Sequence, residues 1–468
     1  MSGVIAQHYS FEHIYFGAER HGTKEKVDMR RMTPEINIFE SVYKSYITAN
    51  ILVYDDADIF GQFLDLMGTE TVRMVIDGGP EDEAPQGKID LEMRVVSLVK
   101  KEKVQDRASV YAINCISSFA YDDANGKISK SYLGQLEETA KKVLESNLNV
   151  SVKQESDYWG NDESLQGQVK VLIPYISPVE SAEWLMERAS SRNNGSPYFV
   201  WSSVWDQEPG KDCVRFGSLA TMIQEGIAKV KPEASTIVEV KEDHERSFIY
   251  SIYGRGRTPR FVTQRATIES YTIKNTSNTL RTVNEGSLGS SVANIDTYTA
   301  AYQRKHWNAK NVIDEFSNGA DWLDTVLDEK DVVTFANETK PLAEHNSRYR
   351  NLITSYGTYK WNNSYHDNAD VSLLLAKMGK SAWKSLLTKN RLDVVLNGYN
   401  FMESELSAGD VVRLVFGVNQ TDDISGDYSQ KEDERMSGFY FILGVRRLWK
   451  DSKHICICDV TRLAAQGI

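Results

Sequence analysis

Gly68-Thr69-Glu70-Thr71-Val72-Arg73-Met74-Val75-Ile76 reads as a turn glycine feeding a β-branched, apolar strand. It has a counterpart far along the chain in Gly409-Asp410-Val411-Val412-Arg413-Leu414-Val415-Phe416. In each copy an acidic loop follows, Glu81-Asp82-Glu83 in the first and residues 422–434 in the second. A basic-ended strand comes next (95–101 or 443–447), then an alternating strand (111–115 or 454–458). Agreement in order and spacing over several elements points to a duplicated β-barrel, with Val72-Arg73 aligned on Val412-Arg413. The alternative is two unrelated sheets in a β-rich chain.

Outward from these strands, 47–54 is rich in β-branched and apolar residues until Asp55-Asp56 breaks it, so 34–76 reads as short strands separated by acidic turns. Segments 93–99 and 109–116 flank the charged stretch 100–107 in the pattern of a hairpin, and 77–88 is a solvated linker. The character changes at Asn125-Gly126. Within 129–146, Leu133, Leu136, Ala140, Val143 and Leu144 recur at helical spacing, which predicts an amphipathic helix. Ser177-Pro178-Val179-Glu180 offers a capping box with proline at the first helical position, which predicts a helix over 178–189 carrying Trp184 and Leu185 inward. Gly195 then releases the chain into a strand over 198–205. Residues 216–310 read as strands and loops, 314–329 as an acidic surface helix, and 370–387 as a longer helix with Leu374, Met378, Ala382 and Leu386 on one face. Strands return at 393–396, 411–416, 439–445 and 454–460.

At 468 residues the chain has room for about three domains, and with 41% hydrophobic residues and only 10 Pro it can bury real cores. Acidic residues outnumber basic ones 66 to 54, and a formal charge of -12 disfavours a general binder of nucleic acid or anionic lipid. Four cysteines, Cys115, Cys213, Cys456 and Cys458, are too few to staple a fold of this size and read as reduced thiols. We expect synthesis in a reducing cytoplasm, without a secretion signal and without a membrane anchor, since no window approaches 18 uninterrupted apolar residues.

The chemistry-bearing motifs fall short one by one. Gly379-Lys380-Ser381 imitates the end of a phosphate-binding loop, but Leu374 stands where that motif needs glycine, and the tripeptide lies within an expected helix. His454-Ile455-Cys456-Ile457-Cys458 places three soft ligands on one strand face, a row better read as buried apolar cysteines than as a metal site. The loop beginning Asp422-Asp423 lacks the spacing of a calcium loop. Asp314-Glu315 and Asp328-Glu329 are carboxylate pairs of an exposed helix. Arg255, Arg257, Arg260 and Arg265 form a basic cluster, read as a solvated loop or as intersubunit salt bridges before a nucleic-acid contact. No Gly-x-Ser-x-Gly elbow or His-Glu-x-x-His occurs. No catalytic, cofactor-binding or metal-ligating residue is assigned, no cofactor is expected, and a structural role is favoured over an enzyme.

Taken in order, several stretches resemble the central baseplate hub subunit of contractile-tailed, T-even-like bacteriophages and its relatives in contractile injection machines. They are the 40–76 block, Lys130-Ser131-Tyr132-Leu133-Gly134, residues 177–189 followed by Tyr198-Phe199-Val200-Trp201, then Val214-Arg215-Phe216-Gly217-Ser218-Leu219, residues 406–415 and Ser437-Gly438-Phe439-Tyr440-Phe441-Ile442. The likeness runs over about 300 residues, while 305–365 fits poorly and looks like an elaboration. It implies an α+β, β-rich, multi-domain fold with two tail-tube-like β-barrels, a small α/β domain and an inserted domain. The expected division is an N-terminal extension at 1–32, barrel 1 at 33–120, the α/β domain at 121–215, barrel 2 from 216–260 with 388–468, and an inserted mixed domain at 261–387. It further implies a homotrimer with pseudo-sixfold symmetry in the virion, joining the central spike protein to the tail tube or tube initiator. Tape-measure protein, surrounding baseplate wedge proteins and DNA in transit complete the expected partners. The competing classes are a tail-associated cell-wall hydrolase and a receptor- or glycan-binding tail-tip adaptor.

Overall fold

A computed structural model of the chain describes residues 10–20, 23–56, 59–62, 70–77, 87–103, 108–153, 169–191, 196–230, 246–250, 266–274, 279–284, 286, 289–297, 300, 302–308, 332–335, 338–341, 348–354, 378–381, 383–384, 387–388, 391–417, 433, 436–450 and 453–462.

The first β block opens with β1 (Ser10–Arg20) and β2 (Thr23–Asp28) and continues with β3 (Glu35–Ser41), β4 (Thr48–Asp55), the short helix α1 (Ile59–Gln62), β5 (Thr71–Asp77), β6 (Lys88–Lys103) and β7 (Ser109–Ser117). Alternation selects the inward face: Ala49, Ile51 and Val53 of β4, with Tyr111, Ile113 and Cys115 of β7, point into one core. Next come α2 (Phe119–Asn125), β8 (Ser131–Gly134), α3 (Leu136–Asn147), β9 (Val150–Lys153), β10 (Val169–Leu172), α4 (Pro178–Met186), β11 (Tyr198–Trp201), β12 (Asp212–Ser218) and α5 (Leu219–Lys229). Here β9 runs parallel to β12, β11 antiparallel to it, and β8 and β10 form a separate pair. The middle of the chain holds β13 (Ser247–Tyr250), β14 (Ile268–Lys274), α6 (Thr279–Asn284), β15 (Gly289–Asp296), β16 (Tyr302–Asn308), β17 (Val332–Phe335), β18 (Glu338–Pro341) and β19 (Arg348–Thr354). Strand β15 is flanked by β16 and β19, and β17 pairs with β18. The second block closes the chain with β20 (Arg391–Asn397), α7 (Gly398–Glu403), β21 (Val411–Phe416), β22 (Gly438–Lys450) and β23 (Lys453–Arg462).

The two blocks share one plan. The first pairs in the order β3-β4-β7-β6-β5, the second in the order β14-β20-β23-β22-β21, every junction antiparallel, with a short helix between the second and third strands in sequence in each. Val72 faces Met93 and Val412 faces Tyr440. Three residues beyond Met93 and three beyond Tyr440 the same irregularity occurs, Val96 and Leu443 each standing out of register against the last strand. Such a bulge bends and twists the strand that carries it. The two strands therefore bend at the same place, and β6 alone has a second irregularity at Val99.

The expected two tail-tube-like β-barrels do not appear as closed barrels. Among the described residues no barrel closes: both blocks belong to one 13-stranded sheet. The cause is the length of β22. Its first half pairs with β21, while Gly444 to Lys450 pair antiparallel with β3, Gly444 opposite Ser41 and Lys450 opposite Glu35. Strand β21 is buried on every residue, unlike β5, because α5 lies against it. The approach is close enough that a Cβ on Gly226 of α5 would meet Val411 Cγ2 at 2.5 Å.

Other expectations shift locally. The helix expected over 129–146 starts at Leu136, since Ser131–Gly134 is taken by pairing with β10 and leaves Leu133 exposed. Strand β6 runs on through Lys103, into the charged stretch read as a hairpin loop. The strand expected over 198–205 ends at Trp201, and Val204–Asp206 form a single 3-10 turn. In 216–310, helix α5 replaces an expected strand region, capped by Ser218 Oγ accepting from the Thr221 amide. Ser177 caps the helix as read, its Oγ accepting from the Glu180 amide with proline at the first helical position, and the helix ends at Met186. Of the helix expected over 370–387, residues 378–381 and 383–384 are described and helical. The helix expected over 314–329 lies outside the described residues.

Candidate functional site

The site is the seam where the two blocks and the small α/β segment meet, and it is organised by Glu40. In β3 the inward positions are Ile36, Ile38 and Glu40, so alternation drives a carboxylate into the interior. Across the seam the inward positions of β22 are Val445, Arg447 and Trp449, so a guanidinium follows from the other side. Both side chains are wholly buried, with Arg447 Nε 3.5 Å from Glu40 Oε1. The Val204 amide donates to Oε1 at 3.1 Å, and Ser407 Oγ donates to Oε2 at 3.0 Å. The same carboxylate thus binds the first block to both the α/β segment and the second block.

Arg447 finishes the knot. Its Nη2 donates to the Leu406 carbonyl at 2.5 Å, which also accepts from Trp205 Nε1 at 2.9 Å. The guanidinium lies 5.1 Å from the ring centres of both Trp205 and Phe401, where the aromatic quadrupoles attract it. Glu405, just before Leu406, holds φ +48°, a left-handed conformation uncommon for a side chain with a Cβ. On the outward face of the seam, Lys450 Nζ reaches Glu35 at 3.0 Å and Arg446 Nε donates to Asn37 Oδ1 at 2.8 Å. A cleft of ≈ 360 Å³ opens there, lined by Glu40, Lys44, Lys274, Asp393, Arg446 and Asp459 among others.

Residues weighed as ligands in the sequence have other surroundings. His454, Cys456 and Cys458 do share one buried strand face. The His454 ring stacks on Trp449 with centroids 4.4 Å apart and planes 6° from parallel, and Gly398 lies so near that a Cβ there would meet the imidazole at 2.3 Å. Burial, then the charge of Arg447, holds His454 well below the usual imidazole range. Among the described residues no cluster of three or more potential metal ligands occurs. Lys380 of the Gly379-Lys380-Ser381 tripeptide lies on a helical stretch, its Nζ 5.3 Å from the Phe199 ring centre. Burial first, then the neighbouring Lys384, lowers it to about 7. The Arg255 to Arg265 cluster, the loop at Asp422, and the pairs Asp314-Glu315 and Asp328-Glu329 lie outside the described residues.

Sequence reading missed four ionisable groups. Glu40 and Arg447 carry a signal: each is a charge at an inward position of an alternating strand. Asp206, held by Lys153 Nζ at 2.9 Å and by Arg215, has no such signal because it sits in a 3-10 turn. The fourth, Asp212, accepts the Phe119 amide at 3.0 Å, and burial, its first cause, pushes it up to about 6. A carboxyl whose folded value exceeds its unfolded one (roughly 3.9) favours folding below that unfolded value and loses the contribution as pH rises through about 6. Asp212→Asn keeps an oxygen for the Phe119 amide. We expect the calorimetric transition that contains Asp212 to lose, in the variant, its fall between about pH 4 and 6, and at pH 7 to lie above the parent's by the equivalent of about 1–2 kcal/mol. Parallel curves would refute this.

No family model and no curated protein matches the chain. Solved structures similar to it include a tail protein from Neisseria meningitidis, 10% identical, covering 97% of this chain and 96% of that one, with a TM-score of 0.49. A 43 kDa tail protein of a Shewanella oneidensis prophage is 10% identical over 96% of this chain and 98% of that one, with a TM-score of 0.47. An Escherichia coli component of the type VI secretion system is 7% identical over 93% and 76%, with a TM-score of 0.37.

Proposed function

We propose that the chain is a structural, non-enzymatic hub subunit of a contractile phage-type baseplate, three copies of which form a pseudo-sixfold ring. One observation carries this reading: two blocks of the same strand order are joined edge to edge inside one chain, and among the described residues each block keeps an edge segment with no strand beside it. Three such chains supply six equivalent blocks, which lets a threefold spike meet a sixfold tube. The ordered sequence patterns shared with hub subunits support the same role. In it, the ring seats the spike below, starts the tube above with tape-measure protein inside, and meets the wedge proteins outside.

The ring must let DNA pass without holding it. Three chains carry a formal charge three times -12, or -36. Lys and Arg on phosphates add affinity through counterion release, and charges further than roughly 8 Å from the duplex are screened at physiological salt. A bore neutral to negative meets that need.

The test is the mass of purified protein with its spike present. Three chains of 53.0 kDa are expected, about 159 kDa before the spike is added, together with no salt-sensitive retention of duplex DNA and no clearing of cell-wall suspensions. A stable monomer or dimer in that mixture would sink the proposal.

A further inference from the structure

The intrachain seam has an unfilled counterpart. Pairing registers place the blocks in residue-to-residue correspondence: Gly444 follows the β22 bulge as Ser97 follows the first bulge of β6, and Tyr271 of β14 faces Val394 as Ile36 of β3 faces Ile51. In the second block, the late half of the long strand carries β3 on its outer edge. In the first block, residues 97–103 of β6 have β7 on one side and, among the described residues, no strand on the other. Strand β14 corresponds to β3, with β20 on one side; on the other, β13 meets only the residues just before its start, at the Ile249 to Thr267 bridge, and Tyr271–Lys274 have no described strand beside them. Among the described residues, one edge lacks a β3-like strand, and the other is the late part of a β3-like strand without a strand beside it. They lie at different places in the same sheet, so they cannot satisfy each other within one chain.

The exposed side chains fit a covered edge better than a solvated one. Val96, Leu98 and Val99 are 49%, 39% and 61% exposed, and Ile273 of β14 is 64% exposed. A sheet edge with no strand beside it, flanked by aliphatic side chains, is a template for another strand.

We infer that neighbouring chains are joined by strand addition: residues 97–103 of β6 in one copy pair antiparallel with β14 of the next. The partner is a second copy of this chain, and the proposal deepens the ring reading on which it rests. Carrying the register of the intrachain seam across sets Lys100 opposite Lys274, Lys101 opposite Ile273, Glu102 opposite Thr272 and Lys103 opposite Tyr271. The contact uses two different edges, so it is head-to-tail and propagates from chain to chain until it closes. If the new joint turns by the same angle as the intrachain one, three chains alternate six equivalent joints. The positions of Arg447 and Trp449 fall to Lys101 and Lys103, so the joint between chains lacks the buried knot and can be made and broken without unfolding either block.

The test uses the full chain with Glu102→Cys and Thr272→Cys combined. The four native thiols are buried, and directly opposed residues bring Cβ atoms to about 4.5–5.5 Å, close to disulfide reach. Oxidation of the assembled protein is expected to give a ladder ending at three linked chains, absent from either single variant and removed by reductant. A second variant, Leu98→Asp with Ile273→Asp, changes only exposed side chains. It is expected to keep the parent's circular dichroism while raising the apparent dissociation constant of the assembly at least 100-fold, about 2.7 kcal/mol. A trimer of correct mass that neither cross-links nor responds to the charges overturns this joint and leaves the ring reading standing. A chain that stays monomeric under all conditions overturns both.

Discussion

Glu40→Ala is expected to remove about 3–5 kcal/mol from the unit that holds the two blocks together, the range for breaking a buried ion pair from one side. The magnitude follows from what is left behind. Arg447 stays wholly buried at the seam, now without its carboxylate. The buried Val204 amide and Ser407 Oγ lose their acceptor, a penalty of about 1–3 kcal/mol for each orphaned group, though such terms do not add. The aromatic contacts to Trp205 and Phe401 remain and limit the loss. Since a chain of this size does not unfold in one step, the measurement is calorimetric. The transition that contains the seam should move down by several degrees while the others hold. A double-mutant cycle with Arg447→Met separates charge from packing: pairing Glu40→Gln with Arg447→Met should recover stability relative to Glu40→Gln alone, because no buried charge is then stranded. A loss under about 1 kcal/mol for Glu40→Ala, or strict additivity in the cycle, would show that the pair carries no coupling.

Much of the strand plan could be read from residues, and the reasons differ element by element. Strand β4 alternates cleanly over Ala49, Ile51 and Val53, and β23 over His454, Cys456 and Cys458, because each has one face in a core and one outside it. The equivalence of Val72-Arg73 and Val412-Arg413 was visible because both strands follow the same turn glycine and precede the same basic-ended neighbour. What pattern could not give was pairing between segments distant in sequence. Nothing in Glu35–Ser41 says that its outer neighbour is the late half of a strand about 400 residues away, so two barrels were expected where one sheet runs through. Helix α5 was missed because its apolar residues, Leu219, Ala220, Met222 and Ile223, adjoin the strand ending at Ser218 without a break. The Glu40 and Arg447 pair was legible only as an anomaly, a charge on each inward face. Recognising the two as partners required the register that only the fold supplies.

Trp449→Ala is the second large effect, and it reports on the same seam through packing. Trp449 belongs to β22 of the second block but is buried in the core of the first, opposite Ile36 of β3. Its ring caps His454, whose other side is closed by Gly398. Truncation leaves a cavity that neither side can collapse into, because the sheet fixes both walls, and a cost of about 3–5 kcal/mol is expected. A pH signature distinguishes this loss from a generic core defect. His454 is held well below the usual imidazole range by burial and by Arg447, so its contribution to stability is present above the unfolded value of about 6.5 and is lost as pH falls below it. Opening the cavity hydrates the ring and brings its folded value back toward the unfolded one. The variant should therefore be less stable at pH 8 by the full amount yet lose less than the parent between pH 7 and 5. Trp449→Phe, which retains a stacking ring, should keep most of the parent's slope at a smaller cost. Calorimetry across that pH range, with imidazole resonances followed by NMR, checks the two together. An unchanged His454 titration in Trp449→Ala would mean that the indole is not what keeps water from the ring.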